Sequence, residues 1–212
     1  MFGTLPIYWG EGGDVTDFLD PNGEQDWVRS FLEQDFELMP LDALEDDTLA
    51  EKRFLILVQP RPLAPSENVS LDRWVRAGGQ VLLFADPMLT RHSSYSIGDP
   101  RRPQDVILLS PILTRWGLEL RFDDRQPDVE KWVDVSDGRM PVRLAGQFGL
   151  LPDGGAGRCD LSGAGIMARC RIGKGRATLV ADAAVLDSDD AGSVSADQRE
   201  SLTKLIDESF SR

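Results

Sequence analysis

Acidic residues stand where the apolar runs of this chain stop. Val81-Leu82-Leu83-Phe84-Ala85 is followed by Asp86-Pro87, Ala177-Thr178-Leu179-Val180-Ala181 by Asp182, and the opening segment Leu5-Pro6-Ile7-Tyr8-Trp9 by Gly10-Glu11. If each run is a strand of one parallel sheet, Glu11, Asp86 and Asp182 converge at its carboxyl edge, where open α/β sheets bind ligands. Three carboxylates there could hold a hard cation such as magnesium, and the chemistry would be metal-assisted hydrolysis. The same residues have a simpler use, because aspartate at a strand end caps the turn or helix that follows. That use takes precedence, so no catalytic residue and no metal ligand is assigned. Glu11, Asp86, Asp182 and Gln59, which ends the run Phe54-Leu55-Ile56-Leu57-Val58, are kept as ligand- or partner-binding candidates.

Other reactive groups are sparse. A serine or cysteine hydrolase sets its nucleophile on a tight strand-to-helix turn beside an imidazole base. Val58-Gln59-Pro60 and Ala85-Asp86-Pro87 offer no nucleophile, and the single histidine, His92, lies in a long polar segment. That segment, Asp86 to Asp105, also carries Arg91, Tyr95, Arg101 and Arg102. Long loops within compact domains are often binding surfaces, so Arg91, His92, Arg101 and Arg102 are candidates for holding a small anionic ligand or an acidic partner. Gly173-Lys174-Gly175 lacks the spacing of a phosphate loop and precedes a strand. Asp187-Ser188-Asp189-Asp190 lacks the spacing of a calcium loop and reads as a solvated turn.

Composition narrows the classes further. In 212 residues, 23 Lys and Arg stand against 36 Asp and Glu, a net charge of −13. A field of that sign repels phosphate backbones and anionic membranes, so nucleic acid is excluded as a partner class. One histidine and two cysteines cannot assemble the usual zinc site, and no cofactor is expected. The apolar runs are about five or six residues long, far short of the ~20 of a membrane span. The abrupt aromatic opening, Met1 to Trp9, reads either as an early first strand or as the exit from a membrane anchor. Cys159 and Cys170 flank the turn Ser162-Gly163-Ala164-Gly165 and so could face each other across a hairpin. They are either a disulfide, which requires an oxidising compartment, or two buried thiols.

The elements that must position these residues alternate between short apolar runs and helical periodicity, the α/β signature. Strands are expected at Leu5–Trp9, Phe36–Leu41, Phe54–Val58, Val81–Ala85 and Ala177–Ala181, and a half-exposed edge strand at Leu118–Phe122. Asp14 to Gln25 is polar, with a turn at Asp20-Pro21-Asn22-Gly23. Helices are expected around Trp27–Leu32, from Pro65 to Gly78-Gly79, from Ser110-Pro111 to Gly117, and near the C-terminus with Leu202, Leu205, Ile206 and Phe210 on one face. Between Asp123 and Arg171 only short strand-like pieces appear, a β-rich insertion or subdomain divided by turns such as Asp137-Gly138. The chain is thus one α/β domain, residues 1–212, with that insertion at 123–171.

Two stretches carry a resemblance. Pro60-Arg61-Pro62-Leu63-Ala64-Pro65-Ser66-Glu67, continuing through Leu71-Asp72-Arg73-Trp74-Val75-Arg76-Ala77-Gly78-Gly79 into Val81-Leu82-Leu83, resembles the helix, "WV-x-x-GG", strand core of a bacterial domain. That domain belongs to auxiliary components of ABC-type transport systems, among them the gliding-motility GldG-like proteins. Gly173-Lys174-Gly175-Arg176 and the run to Asp182 are similar to its closing element. The resemblance covers about half of the chain. It implies a flavodoxin-like, layered and mostly parallel sheet similar to class I glutamine amidotransferases, without their chemistry: Asp86-Pro87 stands where the cysteine would follow its strand, and no His-x-Glu pair exists. It also implies a tether, so that an anchor upstream of Phe2–Trp9 is expected. The expected function is a non-enzymatic interaction or ligand-sensing domain of an envelope-associated, ABC-transport-like system, with protein partners in a membrane complex. A metal-assisted hydrolase using Glu11, Asp86 and Asp182, or a small-anion binder, is the alternative.

Overall fold

The computed structural model describes residues 1–10, 25–136, 138–188 and 193–210. Its frame is a six-stranded sheet of β1 (Phe2–Gly3), β2 (Phe54–Val58), β3 (Gln80–Phe84), β8 (Gly157–Ser162), β9 (Met167–Ile172) and β10 (Gly175–Val180), in the order β1-β2-β3-β10-β9-β8. The first four positions in that order are parallel; β9 and β8 then continue as an antiparallel meander. The fold is therefore α/β, with a mostly parallel mixed sheet.

The uninterrupted apolar runs are explained by two covered faces. Leu55 and Leu57 of β2 face one core, with Leu71, Trp74 and Val75 of α3 (Pro65–Ala77) and Ile112, Leu113 and Trp116 of α4 (Ser110–Trp116). Ile56 and Val58 face the other, with Val28 and Leu32 of α1 (Trp27–Leu32) and Leu202, Leu205 and Ile206 of α5 (Ala196–Ser209). At the start of α3, Glu67 reaches back to accept from the Ala64 N–H at 2.8 Å. At its end Gly78 takes φ 129°, and Gly79 lies so close under the Trp74 ring that a Cβ there would sit 2.4 Å from it. Gly117, at φ 90°, ends α4 in the left-handed conformation.

Two expected strands are corrected. Leu5 to Trp9 forms turns rather than a strand, with Ile7 N–H donating to Leu5 and Gly10 N–H to Pro6; the first strand is the earlier pair Phe2–Gly3. Pro6 has no N–H for a ladder, yet Leu5 and Ile7 are still buried, so the apolar pattern reported burial and not pairing. Phe36 to Leu41 is irregular, although its end is tied to Met1, which donates to the Met39 carbonyl at 2.7 Å and accepts from the Leu41 N–H at 2.9 Å. A short helix, α2 (Asp46–Ala50), precedes β2 and was not expected from the sequence. The turn at residues 20–23 and Asp137 lie outside the described residues.

Within the β-rich stretch, β5 (Lys131–Val135) and β6 (Gly138–Val142) form one hairpin, and β7 (Gln147–Leu150) pairs with β4 (Leu118–Arg121). These are small satellites of the sheet, whereas β8 and β9 belong to the sheet itself. Cys159 and Cys170 are opposite one another on β8 and β9, Cα atoms 4.0 Å apart, and are joined by a disulfide. Among the described residues no helix is long and apolar enough to cross a membrane.

Candidate functional site

β2, β3 and β10 are adjacent and parallel, so their carboxyl ends bring Gln59, Asp86 and Asp182 to one edge of the sheet. Gln59 is wholly buried and holds φ 47°, an unusual conformation for a residue with a side chain. Its amide secures it there. Nε2 donates to the Asp86 carbonyl at 2.9 Å and the Gln104 carbonyl at 2.8 Å, while Oε1 accepts from the Asp86 N–H at 2.9 Å. Gln59 thus ties β2 to β3 and to the far end of the long loop. A residue this occupied presents no free group to a ligand.

Asp86 and Asp182 are both buried. Asp86 accepts from the N–H of Met88 at 2.8 Å and of Ala183 at 3.2 Å. Asp182 accepts from the N–H of Ala184 at 2.7 Å and of Arg143 at 2.9 Å. Each carboxyl therefore has one backbone donor on each oxygen, and together they hold three segments leaving the sheet edge. Burial pushes the Asp86 carboxyl up to about 7. Burial, reinforced by the charge of Asp86, holds Asp182 well above the ordinary carboxylate range. Burial opposes the ionised form of both acids, with the charge of Asp187 adding to it at Asp86 and that of Asp86 at Asp182, so both hold their protons to higher pH than ordinary carboxylates.

Asp187 joins this group, although the sequence suggested a solvated turn. It is half-buried, its Oδ1 is sealed from solvent, and burial raises its carboxyl to about 6 against the attraction of Arg91 and Arg143. Asp189 and Asp190 of the same run lie outside the described residues, as does Glu11, so the three-carboxylate arrangement that includes Glu11 has no description here. Among the described residues no three His, Cys, Asp or Glu side chains are placed to hold a metal ion.

The loop arginines do not converge. Arg91 pairs with Asp26 at 2.8 Å, a contact spanning the loop and the N-cap of α1, and both side chains are largely buried. Arg101 makes a two-pronged contact with Asp99 at 2.8 and 3.0 Å and lies 4.3 Å from the Tyr95 ring centre. Arg102 is held by Asp105 at 2.9 and 3.2 Å and by the Tyr95 carbonyl at 2.8 Å. Each positive charge is thus already met by a carboxylate, and His92 is exposed on the same loop. Asp26 and Arg143 were not singled out in the sequence; the only signal for Asp26 is its position one residue before the helical face that Trp27 opens.

No protein-family model and no curated protein matches the chain. Solved structures do. Gan42B, a GH42 beta-galactosidase from G. stearothermophilus, aligns over 85% of this chain at TM-score 0.52 and 15% identity. The beta-galactosidases of Bacillus circulans sp. alkalophilus and Rahnella sp. R3 align over 85% and 86% at the same TM-score, with 14% and 16% identity. The chain spans about a quarter of the length of these proteins, 25–26%. At this identity the likeness is one of fold.

Proposed function

We propose, from the class I glutamine amidotransferase-like fold that this chain adopts, that it is a non-enzymatic interaction domain. The observation that carries the reading is the state of the strand ends. In an open α/β sheet these ends are where chemistry is placed, and here Gln59, Asp86 and Asp182 spend their polar atoms on the backbone of the chain itself. An enzyme working through them would first have to release its own loops. The Cys159–Cys170 disulfide supports an extracytoplasmic, envelope-associated setting. An ABC-transport-like complex as the partner, and a tether to the membrane, are supported by the sequence resemblance alone.

The test is direct. Purified protein, with and without magnesium, should not turn over glutamine, p-nitrophenyl esters or phosphate monoesters above background. Turnover that disappears in Asp86→Asn would overturn the reading in favour of the metal-assisted hydrolase. For the setting, thiol labelling of whole cells should find Cys159 and Cys170 blocked until a reductant is added. For the partner, crosslinking in intact membranes should join the chain to a transport permease.

A further inference from the structure

At the opposite end of β2 from Gln59 lies a cavity of about 200 Å³ that the strand-end reading does not use. Its floor is aromatic. Phe54 and Phe210 stand with ring centres 4.9 Å apart, and Phe36 completes the group at 6.0 Å from Phe210 and 6.2 Å from Phe54. Leu38 and Ile56 extend the apolar lining. A dry apolar space of ~150 Å³ is enough to take up a benzene ring, so this one has room for an aryl group or a short alkyl chain.

The mouth carries charge that the rest of the protein leaves unused. The Arg53 guanidinium lies over the Phe54 ring, 5.1 Å from its centre, and the Lys52 ammonium rests against Met39 Sδ at 2.9 Å. Among the described residues neither cation has a carboxylate within ion-pair distance, although the chain has many more acids than bases. Glu37 and Glu51 are on the rim, exposed, and pair with neither. Two unpaired cations above an apolar floor complement one kind of molecule.

We infer that this cavity binds a small amphiphile, an aryl or short-alkyl group ending in a single carboxylate or sulfonate. The apolar body enters among Phe36, Phe54 and Phe210, and the anion is met by Lys52 and Arg53. The inference is independent of the strand-end site and stands whether or not the interaction reading is correct.

Methionine methyl groups make the test local. Met1 and Met39 line the cavity, while Met88, Met140 and Met167 do not. Methyl-labelled protein would be titrated with 3-phenylpropionate, and with 3-phenylpropanol and 3-phenylpropylamine as neutral and cationic counterparts. The expected result is a saturable shift at Met39 with the carboxylate, weaker binding of the alcohol and amine, and about a tenfold loss in Lys52→Gln/Arg53→Gln. Both substituted side chains are at the surface of the mouth, and an unchanged thermal midpoint would confirm that the variant is folded. Equal binding of the alcohol would reduce the cavity to an unselective apolar cleft, and preference for the amine would hand the mouth to Glu37 and Glu51. Either outcome, or no saturable shift at millimolar ligand, overturns the inference.

Discussion

Protons are the first consequence of the site at the scale of residues. Asp86, at about 7, and Asp187, at about 6, are raised above the ordinary 3.8, and burial together with the charge of Asp86 raises Asp182 well above it too. Between pH 4 and 7 the folded state therefore binds more protons than the unfolded state, so stability falls as pH rises through that window. From Asp86 and Asp187 the expected loss is roughly 4 kcal/mol between pH 5 and 8, read from urea midpoints. In Asp86→Asn one opposing charge is gone and the slope should flatten; an equally steep slope would place the titration elsewhere. Glu67 acts with the opposite sign. It accepts from both Arg61 Nη atoms and from the Leu44 and Ala64 N–H groups, and the Arg61 contact, ahead of the backbone donors, holds its carboxyl down at about 2. Its contribution is present above about 4.5 and is lost as pH falls through 2. Glu67→Gln should cost ~2–3 kcal/mol at neutral pH, because a buried donor is left facing an amide.

Among elements, α3 and the β8–β9 pair are decisive. Trp74 is nearly buried and its Nε1 donates to the Lys52 carbonyl at 3.0 Å. Trp74→Ala should lose ~3–5 kcal/mol, measured by chemical denaturation. Gly79→Ala should also destabilise, since the new methyl meets the indole from below. Reduction of the disulfide, which closes a separation of 11 residues, should cost ~3 kcal/mol. The runs at 54–58, 81–85 and 177–181 were legible in the sequence because a strand covered on both faces has no polar face to interrupt it. Leu5–Trp9 was misread because Pro6 permits burial without pairing. That β8 and β9 extend the main sheet was not legible: local turns at 163–166 and 173–174 set their register, but what places the meander in the main sheet is the parallel pairing of β10 with β3, nearly a hundred residues away. The site was half legible for the same reason. The positions of Asp86 and Asp182 follow from strand ends, and one donor of each, Met88 and Ala184, is two residues on; the other donors, Ala183 to Asp86 and Arg143 to Asp182, are distant in sequence, and Arg91 finds its carboxylate 65 residues away.

At the scale of the whole molecule, apart from the short β1 that edges β2, the strands of the main sheet fall into two local groups joined by one distant seam. β2, α3 and β3 are contiguous in the chain, and so are β8, β9 and β10; the seam is the parallel pairing of Gln80–Phe84 with residues 176–180. A chain cut after residue 174 should therefore lose cooperative unfolding altogether, leaving β3 as a bare edge. A seam between residues almost a hundred positions apart also sets a timetable. Loop closure over that length is slow compared with forming either local group. During synthesis the first group can assemble early, but the centre of the sheet must wait for residues 175–180 to emerge. Until then the nascent protein is an unfinished sheet with a sticky flank, dependent on whatever shields it, and the final strand to arrive is the one that locks it.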